Sequence, residues 1–393
     1  MEETSFHSLA IVSAVGFVVP LLLGFVPRLR VPSVVLEIAV GAVLGPSALG
    51  WVEVDEPVRI FARLGLASLL FLAGMEIELD RLRGGLLRVA LQGFLLSLLL
   101  SIGFCSALRA VGLLESPLFV AIILASSAIG IVIPLLKDAG EMATPFGQAV
   151  IVGISIADFG TVLLLTLLFS AEGGGAGKTL FLLGMVGLLG VLMAVGAGGL
   201  GRWRRLSETL ERLQDTTAMI RVRGAALLLI VFVVLVERLG LELMLGAFAA
   251  GALLGTMDRD PRSTHPHFHM RLQAVGFGVF IPVFFVASGI QLDLGALLAG
   301  GSTLAMVPVF LVGLLIVRGV PALVYRRIAG PRRTAVAGLL QATSLPFLVA
   351  GARIGVELGR ISQTTATALV AAGMLSVLIF PPAALSLLQR KDS

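Results

Sequence analysis

The chain has 393 residues, 57% of them hydrophobic and only 13% charged, with a mean hydropathy of +1.03. That composition excludes a soluble domain and predicts an all-α protein that crosses a membrane many times. The single cysteine, Cys105, excludes an intramolecular disulfide and a cysteine-based metal site, and the net charge of +5 sits between apolar segments, as a topology signal and not as a nucleic-acid surface.

The first residues, Met1 to His7, are acidic and lack the basic region of a signal peptide, so the first apolar segment is expected to be retained. Apolar runs then recur with short breaks and predict about thirteen membrane helices. They fall at 8–27, 33–50, 57–76, 86–110, 117–137, 146–170, 179–200, 219–238, 241–257, 272–291, 302–325, 334–355 and 363–388. Arg28 and Arg30, Arg81 and Arg83, Lys137, Arg202 to Arg205, Arg259 and Arg262, Arg326 and Arg327, and Arg390 fall on one side. Glu53, Asp55, Glu56, Glu115 and Asp293 mark the other. The positive-inside rule then places the N-terminus outside and the C-terminus in the cytoplasm.

Segments echo one another across the chain. Gly41-Ala-Val-Leu-Gly45 returns as Gly251-Ala-Leu-Leu-Gly255, Leu70 to Leu79 returns as Phe285 to Leu294, and Ala125-Ser-Ser returns as Ala342-Thr-Ser. The offset stays at about 210 residues, which predicts a first six-helix repeat over 1–171, a linker helix and basic loop over 172–218, and a second repeat over 219–393. An odd number of spans separates the mates, so they cross in opposite senses. Inverted repeats of this kind place a transport site near the bilayer midplane. Two mated spans carry hydroxyls beside Gly or Pro, in Ala125-Ser-Ser-Ala-Ile-Gly-Ile-Val-Ile-Pro134 and Gln341-Ala-Thr-Ser-Leu-Pro346. They are read either as broken helices that cross or as Pro-kinked helices without a gap.

One charge dominates the argument. Asp158 lies about twelve residues into an apolar run, near mid-bilayer, where a carboxylate is costly and rarely accidental. It suits a site for which a proton and a metal cation compete, with Ser126, Ser127, Ser155 and Thr343 as candidate oxygen donors to Na⁺ or K⁺. Arg318 lies in another span and either snorkels to the cytoplasmic face or stays buried as a fixed charge, since arginine does not deprotonate in proteins. Glu37 is either interfacial or the partner of Arg318, and Glu76 and Glu78 read as helix-end charges. His265, His267 and His269 form a loop cluster, read mainly as incidental surface residues and otherwise as a pH sensor. Their spacing is a poor zinc pattern. No nucleophile–base pair or phosphate loop favours an enzyme, and no cofactor or resident metal is expected.

Taken together, Pro32-Ser-Val-Val-Leu-Glu37, Leu69-Leu-Phe-Leu-Ala-Gly-Met-Glu76, Leu245-Gly-Ala-Phe-Ala-Ala-Gly251 and Ile281 to Leu294 resemble the monovalent cation:proton antiporter-2 family. The likeness runs over nearly the whole chain. It implies cation–proton exchange by an elevator-like movement within a homodimer, each protomer having a dimerisation domain and a core domain with crossed broken helices. The family's ion-binding aspartate falls on Asp158, its basic residue on Arg318 and its glutamate on Glu37. Many electrogenic members carry a second titratable residue where this chain has Ala157, and usually a lysine where it has Arg318. Those departures predict electroneutral one-for-one exchange. The K⁺ efflux branch carries a C-terminal regulatory domain; here such gating is expected to be absent or supplied by a separate cytoplasmic subunit. The competing readings are an organic-anion symporter on a related fold and a K⁺ efflux subunit gated by another protein.

Overall fold

The computed structural model describes residues 6–25, 32–75, 85–142, 144–169, 219–238, 243–257, 266–295 and 301–389. The expected span at 179–200, the basic loop that follows it, Glu76, Glu78 and His265 lie outside them.

Among the described residues every regular element is helical. In chain order these are α1 (His7–Phe25), α2 (Ser33–Leu44), α3 (Glu56–Met75), α4 (Gly85–Ala110), α5 (Pro117–Leu124), α6 (Ile129–Asp138) and α7 (Pro145–Phe169). The later elements are α8 (Ile220–Arg238), α9 (Leu243–Met257), α10 (Pro266–Val275), α11 (Ile281–Ile290), α12 (Gly301–Leu314), α13 (Arg326–Ala342), α14 (Pro346–Glu357) and α15 (Gln363–Gln389). A π turn, Gly276–Phe280, joins α10 to α11. A second, Leu315–Gly319, and a 3₁₀ stretch, Val320–Tyr325, carry α12 on to α13.

Among the described residues, eight helical stretches are long and apolar enough to cross a membrane, and shorter apolar helices stand at Ser33–Leu44, Pro117–Ile133 and Gly246–Gly255. Surface chemistry agrees with a lipid environment. α1 buries Val12, Val15 and Val19 but exposes Phe17, Leu22 and Phe25. Lipid accepts such an outward apolar face, provided the backbone is satisfied internally, as a helix guarantees.

By packing, the chain divides into two units that interleave along the sequence. The first takes in Met1–Ala62, Asp80–Thr161 and Pro282–Ser393, and the second Arg63–Leu79 and Val162–Ile281. In the first unit, Val12, Val15, Val58, Ala62, Val283 and Ala287 form one buried cluster, and Ile129, Val150, Ile154, Tyr325, Val336 and Leu340 form another.

The same close helix contact occurs once in each unit. In the first, Gly41 of α2 lies so near the Val286 carbonyl of α11 that a Cβ would stand 2.2 Å from it. In the second, Gly251 of α9 meets the Phe71 carbonyl of α3, where a Cβ would stand 1.9 Å away. One turn on, Gly45 faces Ile290 and Gly255 faces Met75. These are the residues that echo each other in sequence: 41 with 251, 45 with 255, 71 with 286, and 75 with 290. Backbones this close exclude any side chain, which is how small residues pack membrane helices.

Candidate ion site

Two helices of the first unit break in mid-course. α5 ends at Leu124, and four residues pass before α6 resumes at Ile129 with Ala128 at φ −132°, ψ 80°. α13 ends at Ala342, Thr343 turns to φ −72°, ψ 113°, and α14 begins at Pro346. Proline supplies no N–H and drives the preceding residue out of the helical region, so Leu345 sits at φ −141°, ψ −55°. The alternative of Pro-kinked helices without a gap does not describe this geometry.

A broken helix leaves buried backbone groups that need partners. At the second break, Ser376 of α15 meets the need: its hydroxyl accepts from the Ser344 N–H at 3.1 Å and lies within donating reach of the Ser344 carbonyl at 3.0 Å. At the first, the Ser126 hydroxyl returns to the Ile123 carbonyl at 2.7 Å, while the Ser127 N–H goes to Asp158 Oδ1 at 2.9 Å. The breaks touch where Ser126 Oγ and Ser344 Oγ stand 3.2 Å apart. Asp158 thus satisfies a backbone N–H within the first break, two residues before α6 begins.

Ser127 is the hub. Its hydroxyl donates to the Gln341 carbonyl at 2.7 Å, beside the second break, and accepts from Arg318 Nε at 3.0 Å and Nη2 at 2.7 Å. Arg318 Nη1 reaches Ser97 of α4 at 3.4 Å. The guanidinium is only 1% exposed, so of the two readings left open for Arg318 the buried one describes it. Asp158, 2% exposed, acts electrostatically on this guanidinium. The π turn Leu315–Gly319 contains Arg318 and widens the helix at that point, as π turns often do at functional sites.

Of the residues singled out in the sequence, the structure brings together Asp158, Ser126, Ser127 and Arg318. Thr343 is buried at the break, but its hydroxyl donates to Leu339 of its own helix at 3.0 Å. Ser155 is buried on α7, three residues before Asp158 and thus on the same face. Glu37 is buried in α2, with its side chain hydrogen-bonded to Ser33 of the same helix. His267 and His269 lie on α10, the latter partly exposed. Among the described residues, no group of three or more His, Cys, Asp or Glu is placed to hold a metal.

The residues missed by sequence reasoning are Ser97, Ser376 and Tyr325, while Gln341 and Ser344 belong to the stretch already read as the second break. Tyr325, the one tyrosine of the chain, is 2% exposed and interacts with the Gln341 side chain. Gly153 makes room for both: a Cβ there would stand 2.2 Å from Tyr325 Oη and 2.9 Å from Gln341 Nε2. The available signal was polarity inside an apolar run. Ser97 and Ser101, four apart and wholly buried, already mark one polar face of α4.

Comparison with known proteins matches residues 13–388 to the family described as sodium/hydrogen exchanger, transmembrane. A putative Na⁺/H⁺ antiporter of Bacillus subtilis, YjbQ, is 30% identical over 100% of this chain and 64% of its own, so the chain spans just under two thirds of that relative. GerN of Bacillus cereus, a Na⁺/H⁺–K⁺ antiporter, is 27% identical over 90% of this chain and 89% of its own. Among solved structures, the sodium proton antiporter MjNhaP1 of Methanocaldococcus jannaschii aligns over 98% of this chain and 99% of its own, at TM-score 0.66 and 16% identity. That likeness establishes the fold.

Proposed function

We propose, since the chain belongs to the sodium/hydrogen exchanger family, that it exchanges a monovalent cation, Na⁺ or K⁺, for a proton across the cell membrane, with Asp158 as the shared site. The observation that carries this reading is the position of the Asp158 carboxylate at the crossing of two helix breaks, held by the Ser127 N–H at 2.9 Å. The names of the relatives, Na⁺/H⁺ and Na⁺/H⁺–K⁺ antiporters, support the ion classes.

Deprotonated Asp158 binds the cation, with hard oxygens at the breaks as further ligands. Protonation releases it. Ser127 fixes the carboxylate and, through the same residue, holds Arg318. Arg318 stays charged in both forms and is a fixed counter-charge, not a carrier. Alternating access follows from an elevator-like movement of the core domain that bears the breaks against the dimerisation domain, within a homodimer. Because proton and cation compete, the half-saturating cation concentration rises as pH falls.

Reconstitution tests this directly. Proteoliposomes loaded with a pH-sensitive dye should show Na⁺- or K⁺-driven proton movement in the wild type and none with Asp158→Asn. Exchange that survives the substitution removes Asp158 from the mechanism.

A further inference from the structure

A second polar arrangement lies at the far end of α14 from the break. Arg353 and Glu357 stand one turn apart there, and Arg353 Nε donates to Glu357 Oε1 at 3.0 Å. The two partners are unequally solvated: the Glu357 side chain is 54% exposed and that of Arg353 only 10%. Solvent therefore screens the carboxylate while the guanidinium is withdrawn from water. One nitrogen of the guanidinium is tied to Glu357. Nη1 is buried and has no acceptor among the described residues. A buried, charged N–H without an acceptor is disfavoured, and folded proteins normally supply one.

Arg353 lines a cavity of about 330 Å³ between the end of α11, the last turns of α14 and the first turns of α15. Glu357 and Gln363 share its polar side, and Val349, Val356 and Val370 make its apolar wall. The volume is that of a small-molecule site and about ten times the share of a single water. An oxyanion on Nη1 would leave most of the space to something apolar.

We infer that this cavity binds an anionic amphiphile, its carboxylate or phosphate head on Arg353 Nη1 and its apolar body against Val349, Val356 and Val370. A guanidinium keeps its charge and meets oxyanions with directed donors, which makes it the natural partner of such a head. The inference does not depend on exchange at Asp158. One ligand chemistry has two possible sources, the surrounding lipid and the soluble pool.

The experiment titrates the purified full-length protein in detergent with octanoate and hexyl phosphate as soluble probes, with phosphatidic acid as the lipid probe, and with octanol and diacylglycerol as uncharged controls. Native mass spectrometry and thermal shift report binding. Saturable binding of the charged probes alone is expected, weakened tenfold or more by Arg353→Gln. Glu357→Gln should tighten it by releasing the guanidinium, whereas a purely structural ion pair would only lose stability. Val370→Trp should block binding by filling the cavity. A response to octanoate or hexyl phosphate identifies the soluble source; a response confined to phosphatidic acid identifies the lipid. Equal binding by wild type and Arg353→Gln, or saturable binding of no charged probe, overturns the inference. If Arg353→Gln fails to fold, the two other variants decide it: binding unchanged by both overturns it too.

Discussion

Asp158 was legible in the sequence because a carboxylate inside an apolar run has few innocent explanations. Its surroundings were less so. Ser97 and Gln341 are far from it in the chain, and small polar residues are common in membrane helices, so nothing local marks which of them converge. Ser127 carries the most weight per atom. Ser127→Ala keeps the backbone N–H on Asp158 but removes the acceptor of two Arg318 hydrogen bonds. Losing hydrogen bonds to a buried charge costs about 2–3 kcal/mol. Exchange in proteoliposomes should fall tenfold or more, and Ser127→Thr, which restores the oxygen, should recover it. Gly153→Ala tests the other side of the site. Its Cβ would overlap Tyr325 Oη, and the buried ring must shift against α6, α7 and α13. Overpacking of this kind costs about 1–3 kcal/mol. A lowered melting temperature together with weakened exchange is expected; an unchanged pair of values would mean that Tyr325 moves freely.

At the scale of elements, the two breaks were readable because proline and hydroxyls declare them. Pro346 dictates where α14 begins, and Ser344 finds its partner on α15. The first break was placed in the right span, but Pro134, which seemed part of its signature, lies inside α6 instead. Pro134 removes one hydrogen bond within α6, to the Gly130 carbonyl, without ending the helix, and the break falls earlier, at the hydroxyls. The π turn around Arg318 left no trace in the sequence, since it adds one residue to a helix of ordinary composition. The glycine echoes were visible in the sequence, and the packing gives each of these glycines a physical reason. Gly251→Val would drive a branched side chain into the Phe71 carbonyl, and backbone cannot yield as a side-chain tip does. The variant should lose at least about 2 kcal/mol of stability. Gly41→Val should behave alike in the first unit, against Val286. Thermal unfolding in detergent measures both, and tolerance of either would show that the close contact is dispensable.

For the molecule as a whole, the all-helical, many-span architecture was settled by composition and hydropathy, because lipid permits so few backbone solutions. How the spans group was not. Both units draw on distant parts of the chain, and α3 and α7 contribute residues to each, an arrangement that hydropathy does not encode. Charge is the property that the whole molecule must balance over a transport cycle. In the exchange proposed above, the cation, deprotonated Asp158 and Arg318 sum to one positive unit. With a proton aboard, neutral Asp158 and Arg318 give the same sum. Ala157 beside Asp158 is buried and adds no second titrating group. If both loaded forms carry equal charge, the membrane potential does no work on the exchange step, although each unit charge moved through 100 mV would otherwise be worth about 2.3 kcal/mol. Turnover driven by a cation gradient should therefore be the same at zero and at −100 mV, measured with a K⁺–valinomycin clamp for Na⁺ exchange. A rate that follows the imposed voltage would require a second charge in the cycle, and the one-for-one scheme at Asp158 would have to be abandoned.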